Sequence, residues 1–260
     1  MDLGLKDRVA LAAAASQGLG WGVARALAVD GARVSLCGRR PAAVRAAAER
    51  LTAETGAPAL GVACDVTDAA ALQAWVAQTV AAWGRVDALL VNAGGPPAGL
   101  FVELDDAQWQ AAFELNILSA VRLIRAALPH MGPGSAILTI TSAAAREPVA
   151  RLALSNVMRA GVAGLVKTLA DELAPRGVRV NNLLPGRLDT ERVARLDQNT
   201  ADKLGISFDE ARARALAAIP LGRLGTVDEF GAAGAFLLSP AASFITGASL
   251  RVDGGMMRSV

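Results

Sequence analysis

Short apolar runs and longer amphipathic or alanine-rich stretches alternate along the whole chain. The apolar runs predict strands at Arg8–Ala13, Arg33–Cys37, Ala59–Ala63, Asp87–Val91, Ala136–Thr141, Val178–Leu183 and Ser249–Val252. The longer stretches predict helices near Gly18–Val29, Ala42–Glu54, Ala69–Trp83, Ala107–Leu128, Asn156–Leu173 and Val227–Leu238. Strands that alternate with helices build βαβ units, and strands covered on both faces are near-continuously apolar. The expected fold is α/β: a single-domain, Rossmann-type, doubly wound parallel sheet of seven strands over residues 1–260, with helices on both faces.

Punctuation agrees with that order. Thr226 to Glu229 spells a capping box at the start of the last helix. Gly31 is a stop signal after the first helix, and Pro175 with Gly177 ends the helix before the sixth strand. Only Asp189–Ala218 breaks the rhythm. It is charged and helix-prone, and residues 189–218 are expected to form a substrate-side flap.

Composition narrows the function classes. The net charge is +2, and the 26 basic residues are scattered, which is no nucleic-acid footprint. The apolar run Val9–Ala15 is far short of a membrane span, and the opening MDLGLKDRVA has no signal-peptide pattern. The expectation is a cytoplasmic protein with no membrane or nucleic-acid partner. Cys37 and Cys64 are isolated and predicted to be buried thiols. The single histidine, His130, is expected at a helix C-terminus. These ligands predict no metal site. The chain contains no tyrosine.

Between the first strand and its helix lie Ala14, Ser16, Gln17, Gly18, Leu19 and Gly20. A glycine-rich turn there lets backbone N–H groups and the helix dipole meet a pyrophosphate. The literal GxGxxG pattern fails at Val23. The second strand ends on Arg39 and Arg40, with no carboxylate to take a ribose 2′-hydroxyl. Two guanidiniums suit a 2′-phosphate, so NADP(H) is favoured and NAD(H) is the alternative.

With these features, the chain resembles the short-chain dehydrogenase/reductase family, and within it the 3-oxoacyl-acyl-carrier-protein reductase-like members, from about residue 5 to 255. The family's TGxxxGxG falls on Ala13 to Gly20, with Ala14 in place of its first glycine. Its Asp-Val falls on Asp65-Val66, and its NNAG on Val91-Asn92-Ala93-Gly94. Its VNxxxPGxxxT runs from Val180 to Thr190. The resemblance assigns cofactor contacts to Ala14, Ser16, Gln17, Gly18, Leu19, Gly20, Arg39, Arg40, Asp65, Val66, Asn92, Ala93, Gly94, Arg159, Pro185, Gly186, Leu188 and Thr190. It implies a homotetramer and a small-molecule carbonyl or hydroxyl substrate.

The family's catalytic Asn and Ser fall on Asn116 and Ser142. Its YxxxK falls on Ser155 and Arg159. In the family the Tyr passes a proton to the developing alkoxide and the Lys lowers its pKa. Serine is short and weakly acidic, and arginine stays protonated, so neither is a routine proton shuttle. Three readings stay open: an oxidoreductase with Ser155 and Arg159 in place of Tyr and Lys, a dinucleotide-binding sensor or scaffold, and a non-redox enzyme in the same pocket. On a helix extending back to residue 151, Arg151, Ser155 and Arg159 would share one face. Two readings follow: that face binds an anionic substrate group, or Arg151 lies on the surface in the preceding loop and Arg159 meets the cofactor ribose. Glu147 is the nearby carboxylate considered for acid or base work.

Overall fold

The computed structural model describes residues 2–259. Its strands are β1 (Val9–Ala12), β2 (Arg33–Gly38), β3 (Ala59–Ala63), β4 (Ala88–Val91), β5 (Ala136–Ile140), β6 (Arg179–Pro185) and β7 (Ser249–Val252). They form one parallel sheet in the order β3-β2-β1-β4-β5-β6-β7. The predicted strands are all present, each within a residue or two of its expected ends.

The helices are α1 (Gly18–Val29), α2 (Pro41–Thr55), α3 (Ala69–Trp83), α4 (Asp106–Phe113), α5 (Ser119–Ala127), α6 (Ala153–Leu173), α7 (Glu191–Leu204), α8 (Phe208–Ala217) and α9 (Val227–Leu238). One core joins α1, α2 and α9 to the sheet through Leu27, Leu36, Leu51, Leu138 and Phe230. A second joins α3, α5 and α6 to the opposite face through Trp75, Leu89, Leu123, Ile137 and Val180. Covered on both faces, β1, β4 and β5 are buried at every position. Cys37 and Cys64 are buried thiols in the second core.

Close packing of α1 on α9 depends on missing side chains. A Cβ on Gly22 would lie 2.5 Å from Val227 Cγ1, and one on Gly231 would lie 2.6 Å from the Gly22 carbonyl carbon. The capping box forms as the sequence predicts: Thr226 Oγ1 accepts from Glu229 N at 3.1 Å, and Glu229 Oε2 accepts from Thr226 N at 2.7 Å.

Two helix expectations need correction, and the helix-prone segment 189–218 gains its bounds. The predicted Ala107–Leu128 helix is interrupted by a π-turn at Glu114–Leu118. Asn116 Nδ2 donates to the Ala112 carbonyl at 3.0 Å, taking the acceptor that a regular turn offers to residue 116. The backbone widens there, as π-turns at functional sites often do. The helix predicted from Asn156 begins at Ala153, and Arg151 lies outside it. Arg151 instead has a φ of 60° and pairs with Glu103 at 3.1 Å on the surface. Finally, residues 189–218 form two capped helices. Thr190 caps α7 through Val193 N, and Ser207 caps α8 through Glu210 N.

Candidate active site

Strand order reverses at β1: its neighbours β2 and β4 lead the chain to opposite halves of the sheet. In an open parallel sheet, such a reversal leaves a crevice beyond the carboxyl ends of the strands. A cavity of about 480 Å³ lies there. The turn into α1, the ends of β4, β5 and β6, helix α6 and helix α7 all contribute to its wall.

The turn residues Gln17, Gly18, Leu19 and Gly20 line this cavity. Helix α1 begins without a side-chain cap, because Gln17 Oε1 accepts from Arg40 Nη2 at 3.1 Å. The first N–H groups of α1 are therefore left for an anion. A Cβ at Gly20 would lie 2.8 Å from Asn92 Nδ2, so the turn is closed against β4 and bare on the cavity side. These features fit a dinucleotide's pyrophosphate. Ala14 holds the turn with a φ of 48°. Its carbonyl accepts from Asn92 Nδ2 at 3.2 Å.

Other predicted nucleotide residues lie beyond this cavity. Arg39 and Arg40 are exposed at the end of β2, near Ser16, whose Oγ is 3.4 Å from where a Gly38 Cβ would stand. Asp65 follows β3 and holds Thr67, accepting from its N at 3.0 Å and its Oγ1 at 2.9 Å; Val66 is buried in the second core. Asn92, Ala93, Gly94, Pro185, Gly186, Leu188 and Thr190 all line the cavity.

Ser142, Ser155 and Arg159 also meet in it. Ser142 follows β5, and its Oγ accepts from Ala144 N at 3.2 Å. Ser155 and Arg159 lie one turn apart on α6, both buried. The Arg159 guanidinium has no carboxylate partner among the described residues. It donates to backbone carbonyls of Ile140 at 3.1 Å, Gly94 at 3.3 Å and Ala93 at 3.5 Å. Burial, and then the nearby Arg192 cation, lower its pKa to about 10. Asn116 lies behind these groups. With Arg159 it lines a separate cavity of about 10 Å³, room for one water. Asn116 Oδ1 is buried with no partner among the described residues.

Two sequence candidates leave the site. Arg151 is held away by Glu103, so the three-residue anion face reduces to Ser155 and Arg159. Glu147 binds Ser259 N, which lowers its pKa by stabilising the carboxylate, and it does not line the cavity. His130 is exposed in a turn after α5, outside the site. The sequence reading missed Gly95, Asp189, Glu191, Arg192 and Arg195, which do line it. The charged composition of 189–218 was the only signal for the four charged residues, and Gly95 had none.

A parallel sheet reversing at a glycine-rich turn, with a buried polar set at its carboxyl edge, defines a dinucleotide-binding α/β protein. The family model described as enoyl-(acyl carrier protein) reductase matches residues 13–257. The 3-oxoacyl-[acyl-carrier-protein] reductase of Escherichia coli (strain K12) is 33% identical over 256 residues, covering 98% of this chain and 99% of that protein. The crystal structure of L-sorbose reductase from Gluconobacter frateurii, complexed with NADPH and L-sorbose, covers 100% of both chains at 30% identity and a TM-score of 0.95. An NADPH-bound short chain oxidoreductase from Pseudomonas aeruginosa PAO1 "containing an atypical catalytic center" is 32% identical with a TM-score of 0.89, covering 98% of this chain and 100% of that one. The chain belongs to the short-chain dehydrogenase/reductase family of oxidoreductases.

Proposed function

We propose that this protein is an NADP(H)-dependent reductase of a small carbonyl compound, of the 3-oxoacyl-acyl-carrier-protein reductase-like kind, in which Ser155 and Arg159 stand for the family's Tyr and Lys. The observation that carries this reading is the buried Arg159 cation, tied to the Ala93 and Gly94 carbonyls beside Ser142 and Ser155. NADP(H) is favoured because the relatives with solved complexes hold NADPH and because Arg39 and Arg40 offer a 2′-phosphate two guanidiniums with no competing carboxylate.

When bound, the nicotinamide supplies a hydride to the carbonyl carbon, while the C=O electron pair moves to oxygen and takes up a proton. The α1 N-terminus would hold the pyrophosphate, and Arg159 would meet the nicotinamide ribose. Ser142 and Ser155 donate hydrogen bonds to the carbonyl oxygen. Arg159, buried among backbone carbonyls, stabilises the negative charge that grows there. With a pKa near 10 it stays ionised at neutral pH, so it orients rather than shuttles. The proton comes from solvent water in the main cavity, which leaves as hydroxide, and the unpartnered Asn116 Oδ1 offers a water site behind Arg159. Residues 189–218 act as the substrate-side flap, since α7 closes one wall of the cavity. An anionic substrate group suits the excess of guanidiniums on that wall.

Titration with NADPH and NADH, followed by a carbonyl panel, tests the reading. NADPH binding with slow turnover, lost in Ser142→Ala, is expected. NADPH binding with no turnover on any carbonyl would favour a cofactor-binding protein. A cytoplasmic homotetramer accompanies this reading. No helix of the described residues is long and apolar enough to cross a membrane. Exposed Phe101, Val102, Val157 and Phe244 offer apolar surface for assembly, which light scattering of the purified protein would measure.

A further inference from the structure

The cavity carries more positive charge than a neutral carbonyl substrate needs. Arg159, Arg192 and Arg195 all line it. Among the described residues, none of the three has a carboxylate within 4 Å. The two carboxylates on the wall, Asp189 and Glu191, are exposed, and Asp189 is drawn 3.8 Å from Arg212 instead. Like charges this close repel. Arg192 lowers the pKa of Arg159, and Arg195 lowers that of Arg192, each after loss of water.

Arg192 is also seated. Although the residue as a whole is exposed, its guanidinium lies flat on Gly95: a Cβ there would be 2.5 Å from both Cζ and Nη1. Gly95 directly follows Gly94, whose carbonyl accepts from Arg159. Two guanidiniums thus flank consecutive residues, one from the helix that carries Ser155 and one from the flap. The pyrophosphate has its own place at the α1 N-terminus. Arg159 and Arg192 line the same cavity as Ser142 and Ser155 and leave two guanidiniums there without a carboxylate.

We infer that Arg192, seated on Gly95, binds the carboxylate of a free oxo acid whose keto group lies at Ser142 and Ser155. A planar guanidinium matches a carboxylate with two parallel hydrogen bonds, and Arg159 adds charge from the other side. A carrier-protein thioester has no anion beside its keto group and would leave Arg192 unpaired. The inference rests on the reductase reading for its keto group, while the carboxylate site stands on the three guanidiniums alone.

The test uses pyruvate and acetoacetate against their methyl esters, on the full chain with NADPH. Binding to the enzyme–NADPH complex is measured by calorimetry and turnover by loss of NADPH absorbance. The acids are expected to bind about 10- to 100-fold more tightly than the esters, the range of a charge-assisted pair. Arg192→Met should erase that preference while NADPH affinity stays within about twofold. Gly95→Ala, which displaces the guanidinium without removing it, should also erase the preference for the acids. Equal affinity for acid and ester in the unmodified protein overturns the inference. So does a preference that survives both substitutions. NADPH affinity falling in step with acid affinity in Arg192→Met also overturns it, by making the pyrophosphate the partner. Tight, Arg192-dependent acid binding without any turnover upholds the carboxylate site and defeats the reductase reading.

Discussion

Asn92 and Ala14 are joined across the mouth of the site: the Asn92 amide donates to the Ala14 carbonyl at 3.2 Å, and Ala14 holds a left-handed φ of 48°. The bond fixes the carbonyl of a residue whose own side chain opposes that conformation. A non-glycine residue pays about 1–2 kcal/mol there, part of which glycine loses again through its freer unfolded chain. Ala14→Gly is therefore expected to stabilise the protein by up to about 1 kcal/mol, read as a shift in the urea midpoint. An unchanged or lowered midpoint would mean that the turn carries no strain.

Restoring the missing acid should raise the rate. Ser155 opens onto the cavity one turn before Arg159, so a phenol at 155 projects into the reaction space. The double variant Ser155→Tyr with Arg159→Lys is expected to reduce a carbonyl about 10²- to 10⁴-fold faster than the unmodified chain, the usual worth of a placed general acid. Rates that stay equal would show that proton delivery is not what limits the natural protein.

Cofactor choice should follow Arg39 and Arg40. Replacing both with alanine removes the charges facing a 2′-phosphate and is expected to weaken NADPH by about 10- to 100-fold, with little effect on NADH. Fluorescence titration of each nucleotide checks this. A parallel loss of both affinities would place the two arginines elsewhere than on the phosphate.

The pH dependence of stability follows from Arg159. Burial lowers its native pKa to about 10, well below the ordinary guanidinium value, so the unfolded chain holds this proton to higher pH than the folded one. Stability linked to this group is therefore lowest below pH 10 and rises as pH passes upward through that value. The unfolding free energy of the natural protein, minus that of Arg159→Met, should grow between pH 8.5 and 10.5. A flat difference would mean that the guanidinium stays charged throughout.

Asp197 ties α7 to α8 and to the segment after β6. Its buried carboxylate pairs with Arg187, after β6, and with Arg212 of α8 at 3.2 Å. Asp197→Ala leaves two half-buried cations facing each other, a change that in buried pairs costs about 3–5 kcal/mol and here less, since both arginines are partly exposed. We expect faster proteolysis within residues 191–217 and a KM raised more than kcat is lowered. Unchanged proteolysis with an unchanged KM would show that α7 is held by its apolar face alone.

The strand and helix order and the nucleotide turn were legible in the sequence, because each depends on local periodicity or a glycine turn. The family resemblance, not spacing, named Ser142, Ser155 and Arg159, which the fold brings to one cavity, and Asn116, which lies behind it. The π-turn at Asn116 was not legible, because a side chain competing for one carbonyl leaves hydrophobic spacing almost unchanged. Arg151 misled for a related reason: i, i+4 spacing implies a shared face only inside a helix, and α6 begins two residues later. Gly95 and Arg192 stand nearly a hundred positions apart and belong to no common motif. Only the folding of α7 back over the carboxyl edge of the sheet brings that guanidinium onto that glycine, since charge and contact between distant segments are set by packing and not by order along the chain.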